Sequence, residues 1–194
     1  MDQEYSGELL LEIGTYILAL GSIIAAIGQT KDSIYKDENG KILFAQGNVI
    51  EAVGNVIEAI GRTKLYEVEP FEPELATITG CWLQATGNTT NAVATQLEIE
   101  GEEQAGNQFN AVGSGVQALG ATFEAAGLSA RGTTRGRVES NGNVLIAIGS
   151  YLESSGHLSL LNDQKGVGNA LLFTGSWVLA IGALLTVYGL QIKD

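Results

Sequence analysis

Proline is nearly absent: Pro70 and Pro73 are the only two in 194 residues. Glycine occurs 26 times. Disordered and collagen-like chains are rich in both, so this imbalance points instead to glycines placed inside regular elements. The single cysteine, Cys81, rules out an intrachain disulfide; no redox compartment is diagnosed, and a buried structural thiol is expected. The single histidine, His157, has no evident partner in the sequence and reads as a surface or capping residue. Basic residues are scarce: ten Lys and Arg stand against 22 Asp and Glu, for a net charge of −12. That balance argues against nucleic acid or an anionic membrane surface as a partner. The start, Met1-Asp2-Gln3-Glu4, has no basic n-region. No signal peptide is read, and the chain is expected in the cytoplasm at synthesis.

Motifs for chemistry are missing too. The chain has no P-loop, dinucleotide fingerprint, nucleophile elbow or paired metal-ligand cysteines. The carboxylates Glu51, Glu58, Glu98, Glu100, Glu102 and Glu103 do not fall at calcium-loop spacing and read as solvated helical charge. The expectation is a protein that is not an enzyme, with no catalytic residue, cofactor or metal.

What the chain does have is a seven-residue phrase. Gly47-Asn48-Val49-Ile50-Glu51-Ala52-Val53 is followed at once by Gly54-Asn55-Val56-Ile57-Glu58-Ala59-Ile60 and then Gly61. At about 100° per residue, Val49, Ile50, Val53, Val56, Ile57 and Ile60 share one arc of a helix, with Asn48, Glu51, Asn55 and Glu58 opposite. Glycine and alanine mark the two borders between these faces. A glycine inside a helix costs roughly 1 kcal/mol relative to alanine, so one in every seven residues calls for an offsetting gain. Close approach of neighbouring helices along the small residues supplies it.

The same register recurs through the chain, so Gly14, Gly21, Gly47, Gly54, Gly80, Gly87, Gly113, Gly120, Gly149, Gly175 and Gly182 are expected to be helix-packing positions. Gly14, Gly47, Gly80 and Gly113 stand 33 residues apart; Gly113 to Gly149 is 36, and Gly149 to Gly182 is 33 again. This is a tandem repeat with one three-residue insertion. Each unit holds one long helix, and short linkers make successive helices run up and down. The prediction is an all-α single domain over residues 1–194, made of six antiparallel up-and-down helices near 6–28, 40–62, 74–100, 104–128, 138–161 and 166–192. The pattern leaves a closed bundle and an open layer both available.

The terminal helices depart from the middle ones. Where the middle carries Glu51, Glu58, Gln84, Gln117 and Glu124, the first helix has Leu18 and Ala25, and the last has Leu172 and Leu179. No charged residue occurs from Gly166 to Ile192. A helix apolar all round must be covered, by a second copy or by lipid, and the last segment has the length and composition of a membrane span. Asn169 and Ser176 keep small polar groups in that segment, which suits a close helix partner. A subunit interface is therefore expected at Leu18, Ala25, Asn169, Leu172, Ser176 and Leu179. A basic linker patch of Arg131, Arg135 and Arg137 is expected to meet acidic residues of another copy, near Glu102. The partner is then the chain itself, joined head to tail into a filament, ring or layer. The alternative is a membrane-associated or membrane-inserting helical protein, pore or toxin-like.

The Gly-Asn-Val-Ile-Glu-Ala-Val/Ile heptads resemble those of uncharacterised, repetitive glycine-heptad proteins from Bacillus-like spore formers, over Gly14 to Gly189. The resemblance implies a structural, self-assembling protein connected with sporulation and deposited on a spore or inclusion surface. It brings no activity with it.

Overall fold

The computed structural model describes residues 3–37 and 39–193. Met1, Asp2, Glu38 and Asp194, which include both ends of the expected 1–194 span, lie outside the described residues. The six helices are α1 (Gln3–Ser33), α2 (Asn39–Val68), α3 (Glu74–Ile99), α4 (Glu103–Ala130), α5 (Thr134–Leu161) and α6 (Lys165–Leu190). The fold is all-α, six antiparallel helices running up and down.

Several helices extend beyond the predicted limits. Gln29-Thr30-Lys31, read as linker, continues α1: Thr30 Oγ1 donates to Ala26 O at 2.7 Å, and Gln29 Nε2 to Ser33 Oγ at 2.6 Å. Lys36 then turns the chain with φ 55°. In the same way Thr63 Oγ1 donates to Ala59 O, and α2 continues to Val68, two residues before Pro70. The tight turns after α3 and α4 each contain a left-handed glycine, Gly101 (φ 96°) and Gly132 (φ 71°). Thr133 caps α5, its side chain accepting from the Gly136 N–H at 3.0 Å.

Each helix packs on its chain neighbours, and α6 returns to pack on α1. The bundle is therefore closed. Three of the six joints are glycine seams between the helices of a hairpin. On α1 and α2, Gly7 faces Gly61, Gly14 faces Gly54, Gly21 faces Gly47 and Gly28 faces Gly40. Gly80 faces Gly120 and Gly87 faces Gly113 between α3 and α4; Gly142, Gly149 and Gly156 face Gly182, Gly175 and Gly168 between α5 and α6. At every one of these sites but Gly47, where Ala25 is met instead, the backbone carbonyl of the opposing glycine lies close to where a side chain would go. Between hairpins the contact uses the alanine border. At α4·α5, Ser140 Oγ donates to Ala125 O at 2.8 Å and Ser154 Oγ to Ala111 O at 2.7 Å.

The two remaining faces of each helix point to the bundle axis and to the outside, in the reverse of the expected sense. Asn48, Glu51, Asn55 and Glu58, expected on a solvated face, are buried. Val49, Val53 and Ile60 are exposed. The reversal holds around the ring. Thr77, Gln84, Asn88, Asn91, Asn110, Ser114, Gln117, Asn143 and Ser150 are inside, while Trp82, Val93, Phe109, Val112, Phe123, Val144, Ile148 and Ile181 are outside. The helical wheel separates two faces but does not say which is inner. Apolar side chains turned inward are the rule for a bundle immersed in water.

The closed ring also corrects the terminal-helix expectation. Leu18, Ala25, Leu172, Ser176 and Leu179 are buried within one chain. Leu18 and Leu179 join Ala19, Ala121, Ile146 and Ala183 in an apolar cluster drawn from α1, α6, α5 and α4. These residues are not an outward stripe between copies, because α1 and α6 cover one another. Asn169 is half-buried near the start of α6.

Candidate functional site

The bundle axis gathers the buried polar and charged side chains of the described residues. Helices α2 to α5 supply amides and carboxylates to it, while α1 and α6 supply leucines, alanines and hydroxyls, with the Gln29 amide of α1 at the far end.

At the end of the bundle near the chain termini, the axis holds an ionic network. The Arg62 guanidinium reaches Glu124 at 2.9 Å, Glu74 at 3.3 Å and Glu139 at 4.0 Å, with all four side chains almost fully buried. Arg131 pairs with Glu74, and Arg135 with Glu139 at 2.7 Å and Glu8 at 3.4 Å. Two members of the predicted basic patch thus bind acids of their own chain. Arg137 is exposed, with Thr134 accepting from it. Glu102 lies at the opposite end of α4, beyond reach of the patch within one chain. One step inward, Glu58, Cys81 and Glu124 bring their ligand-type atoms within 4.8 Å of one another. The Arg62 charge already balances Glu124, and the Cys81 thiol donates to Glu58 at 3.9 Å. This group is an ion-pair cluster with a thiol in it.

The network passes into amides. Gln84 Nε2 donates to Glu124 at 2.7 Å and to Asn143 Oδ1 at 3.4 Å. Beyond it, polar atoms outnumber partners. Both side-chain polar atoms of Asn55 and of Asn88, and also Gln84 Oε1, Gln117 Oε1 and Ser150 Oγ, are buried without a hydrogen-bond partner. Unpartnered buried amides are expensive unless water or an ion supplies what is missing. At this level Glu51 accepts from Gln117 Nε2 at 3.3 Å, and Glu153 stands across a small cavity from it.

The far end closes with Asn110, Thr95, Glu98, Lys41 and His157. Asn110 donates to Glu98 at 2.8 Å, and Lys41 pairs with Glu98 at 3.3 Å. His157 is buried, its Nδ1 2.8 Å from Asn107 Oδ1; the surface or capping role expected for it is replaced by an interior one. Outside this end, Lys31 in the last turn of α1 sits 2.9 Å from Asp37 in the α1–α2 linker, and that hydrogen bond holds the Asp37 carboxyl below the usual carboxylate range.

Sequence reasoning identified the residues of the axis but assigned them to the surface. The missed signal was their composition. Asn, Gln and Glu follow the glycine register in α2 to α4, while the charged residues that stay exposed cluster at the helix ends.

No curated protein matches the chain, and no solved structure does. A family model described as a family of unknown function (DUF6944) matches residues 9–187, all but short stretches at either end, and the chain belongs to that family.

Proposed function

We propose that the protein is a membrane-spanning six-helix bundle whose polar axis is its working part, an occluded interior that takes small cations or protons into the bilayer. One observation carries this reading. Within residues 13–30, 42–63, 75–97, 104–129, 138–160 and 166–190, every charged side chain is buried: Glu51, Glu58, Arg62, Glu124, Glu139 and Glu153. The outward surface over the same lengths is aliphatic and aromatic, interrupted by threonines and by amides such as Gln46 and Asn141. In water this arrangement wastes the hydrophobic effect twice, by exposing apolar area and by burying polar groups. In lipid both terms reverse, because polar groups face the bundle interior there and small residues make the helix contacts.

Three further features support it. Helices α1, α5 and α6 are long and apolar enough to span by composition alone. The four-glycine seam of α1, from Gly7 to Gly28, covers about 32 Å at 1.5 Å per residue, close to the roughly 30 Å of a hydrocarbon core. Exposed threonines satisfy their hydroxyls on their own helix: Thr79 donates to Leu75 O at 2.7 Å, Thr86 to Trp82 O at 2.9 Å and Thr122 to Ala118 O at 2.8 Å. The head-to-tail filament needs α1 and α6 free, and they are engaged with each other. Under the resemblance to glycine-heptad proteins of spore formers, the membrane is that of the sporulating cell; that element rests on the resemblance alone.

The expected result is that the protein stays in the membrane pellet through alkaline carbonate, needs detergent for extraction and floats with liposomes after reconstitution. Val53→Lys together with Ile148→Lys should abolish flotation, since each charge near mid-bilayer costs about 3 kcal/mol on insertion scales. A monodisperse monomer in detergent-free buffer, or large particles that do not float, would overturn the membrane reading.

A further inference from the structure

We propose that Glu51 and Glu153, with the oxygens around them, form a site for one hard divalent cation at the centre of the bundle. The cavity between them measures about 10 Å³, the room of one water molecule or one bare ion. Its polar lining is Ser22, Asn48, Glu51, Gln117, Glu153 and Ser176.

What these groups offer the cavity is mostly acceptors. The Ser22 hydroxyl donates its only proton to Ala19 O at 2.9 Å, and Ser176 donates its own to Phe173 O at 3.0 Å. Asn48 Nδ2 donates one of its two protons to Phe44 O at 2.9 Å, and Gln117 Nε2 donates one of its two to Glu51. Gln117 is 1% exposed and its Oε1 has no partner. Glu153 is 3% exposed, and among the described residues its carboxylate makes no hydrogen bond or ion pair. The polar side of the cavity, facing Ala25, Phe44 and Leu179, is rich in lone pairs and calls for a positive occupant.

Charge makes the same demand. The carboxylates near Arg62 have a cation in contact, but Glu51 and Glu153 have none. Arg62 is eleven residues from Glu51 along α2, about 16 Å, and Lys41 is ten residues the other way, about 15 Å. Both cations are already paired with other acids. Two ionised carboxylates taken out of water without a counter-charge are very costly, and one divalent ion cancels both. An all-oxygen set of carboxylates, amide carbonyl and hydroxyls selects calcium or manganese over zinc or copper, which favour nitrogen and sulfur. The position suits the proposed function and rests on it for its meaning: Glu51 and Gln117 lie near the midpoints of the glycine seams of α2 and α4, and thus mid-bilayer.

The test is a titration of the purified, chelator-washed full-length protein in detergent micelles with MnCl2, read by electron paramagnetic resonance, and with CaCl2, read by calorimetry. The expected result is one saturable ion per chain, with calcium competing for manganese. Glu51→Gln/Glu153→Gln should weaken binding at least tenfold, and Ser176→Ala several-fold. Glu102→Gln/Glu103→Gln, at the exposed acidic turn, should leave it unchanged. Far-UV circular dichroism shows whether each variant is folded, and the wild-type stoichiometry stands even if the double variant is not. Absence of saturable binding to the wild type would overturn the proposal, the two carboxylates then being neutral acids. So would binding that survives in the folded double variant. Micelle titration is independent of flotation: a protein that binds one ion but does not enter liposomes keeps this site and loses the membrane reading, and the converse result does the opposite.

Discussion

Replacing Arg62 by leucine should destabilise the protein by about 3–5 kcal/mol, the usual consequence of removing one partner from a buried ion pair. Arg62 is 2% exposed and is the cation closest to Glu124 at 2.9 Å, with Glu74 and Glu139 at 3.3 and 4.0 Å. Glu74 and Glu139 keep Arg131 and Arg135 after the substitution. Glu124 keeps the amide of Gln84 and the neighbouring Cys81 thiol, but no cation. Most of the loss should therefore come from Glu124, and Arg62→Leu combined with Glu124→Gln should recover at least half of it. The measurement is denaturation of detergent-solubilised protein followed by circular dichroism, analysed as a double-mutant cycle. If the single variant unfolds with the wild type, the ionic network contributes nothing to stability.

The second large effect should come from the glycine seam, and the sign for alanine is the informative part. In an unconstrained helix, glycine to alanine gains up to about 1 kcal/mol. At Gly54 an added Cβ would sit 2.6 Å from the Leu18 backbone nitrogen and 2.8 Å from Gly14 O. Both neighbours are main chain of the facing helix and can give way only if α1 and α2 separate. Gly54→Ala should lose about 1–3 kcal/mol, the ordinary range for overpacking, and Gly54→Leu more. Gly115 is the matched control. It lies within α4 but off the seam, and an added Cβ there meets only Ser154 Oγ at 3.7 Å. Gly115→Ala should be stabilising by up to about 1 kcal/mol. Equal melting of Gly54→Ala and Gly115→Ala variants would remove close backbone contact as the reason for the heptad glycines.

Much of the architecture was legible in the residues alone. Glycine every seventh position and a 33-residue offset specify long helices and their number, because only a helix keeps those positions on one edge. Antiparallel order follows from linkers too short to carry the chain back along a helix. Pro70 and Pro73 mark one linker, though the helix before them extended to Val68 because Thr63 and its neighbours carry no helix-breaking residue.

Which face turns inward was decided only by the tertiary structure. The wheel that separates Glu51 and Glu58 from Val53 and Ile60 is unchanged by turning every helix through half a revolution about its axis. The direction depends on the closed ring, whose glycine and alanine borders are taken up by neighbours and whose narrow centre receives the residues just after glycine and those three further on. Closure itself was equally out of reach, since it depends on six inter-helix angles adding to a full circle and no local pattern records that total. The central cavity followed from closure. Glu51 on α2, Gln117 on α4 and Glu153 on α5 are separated by dozens of residues and share only a heptad slot, each four residues after a seam glycine; they meet because three glycine-seamed hairpins bring equivalent heights of the repeat to one axis.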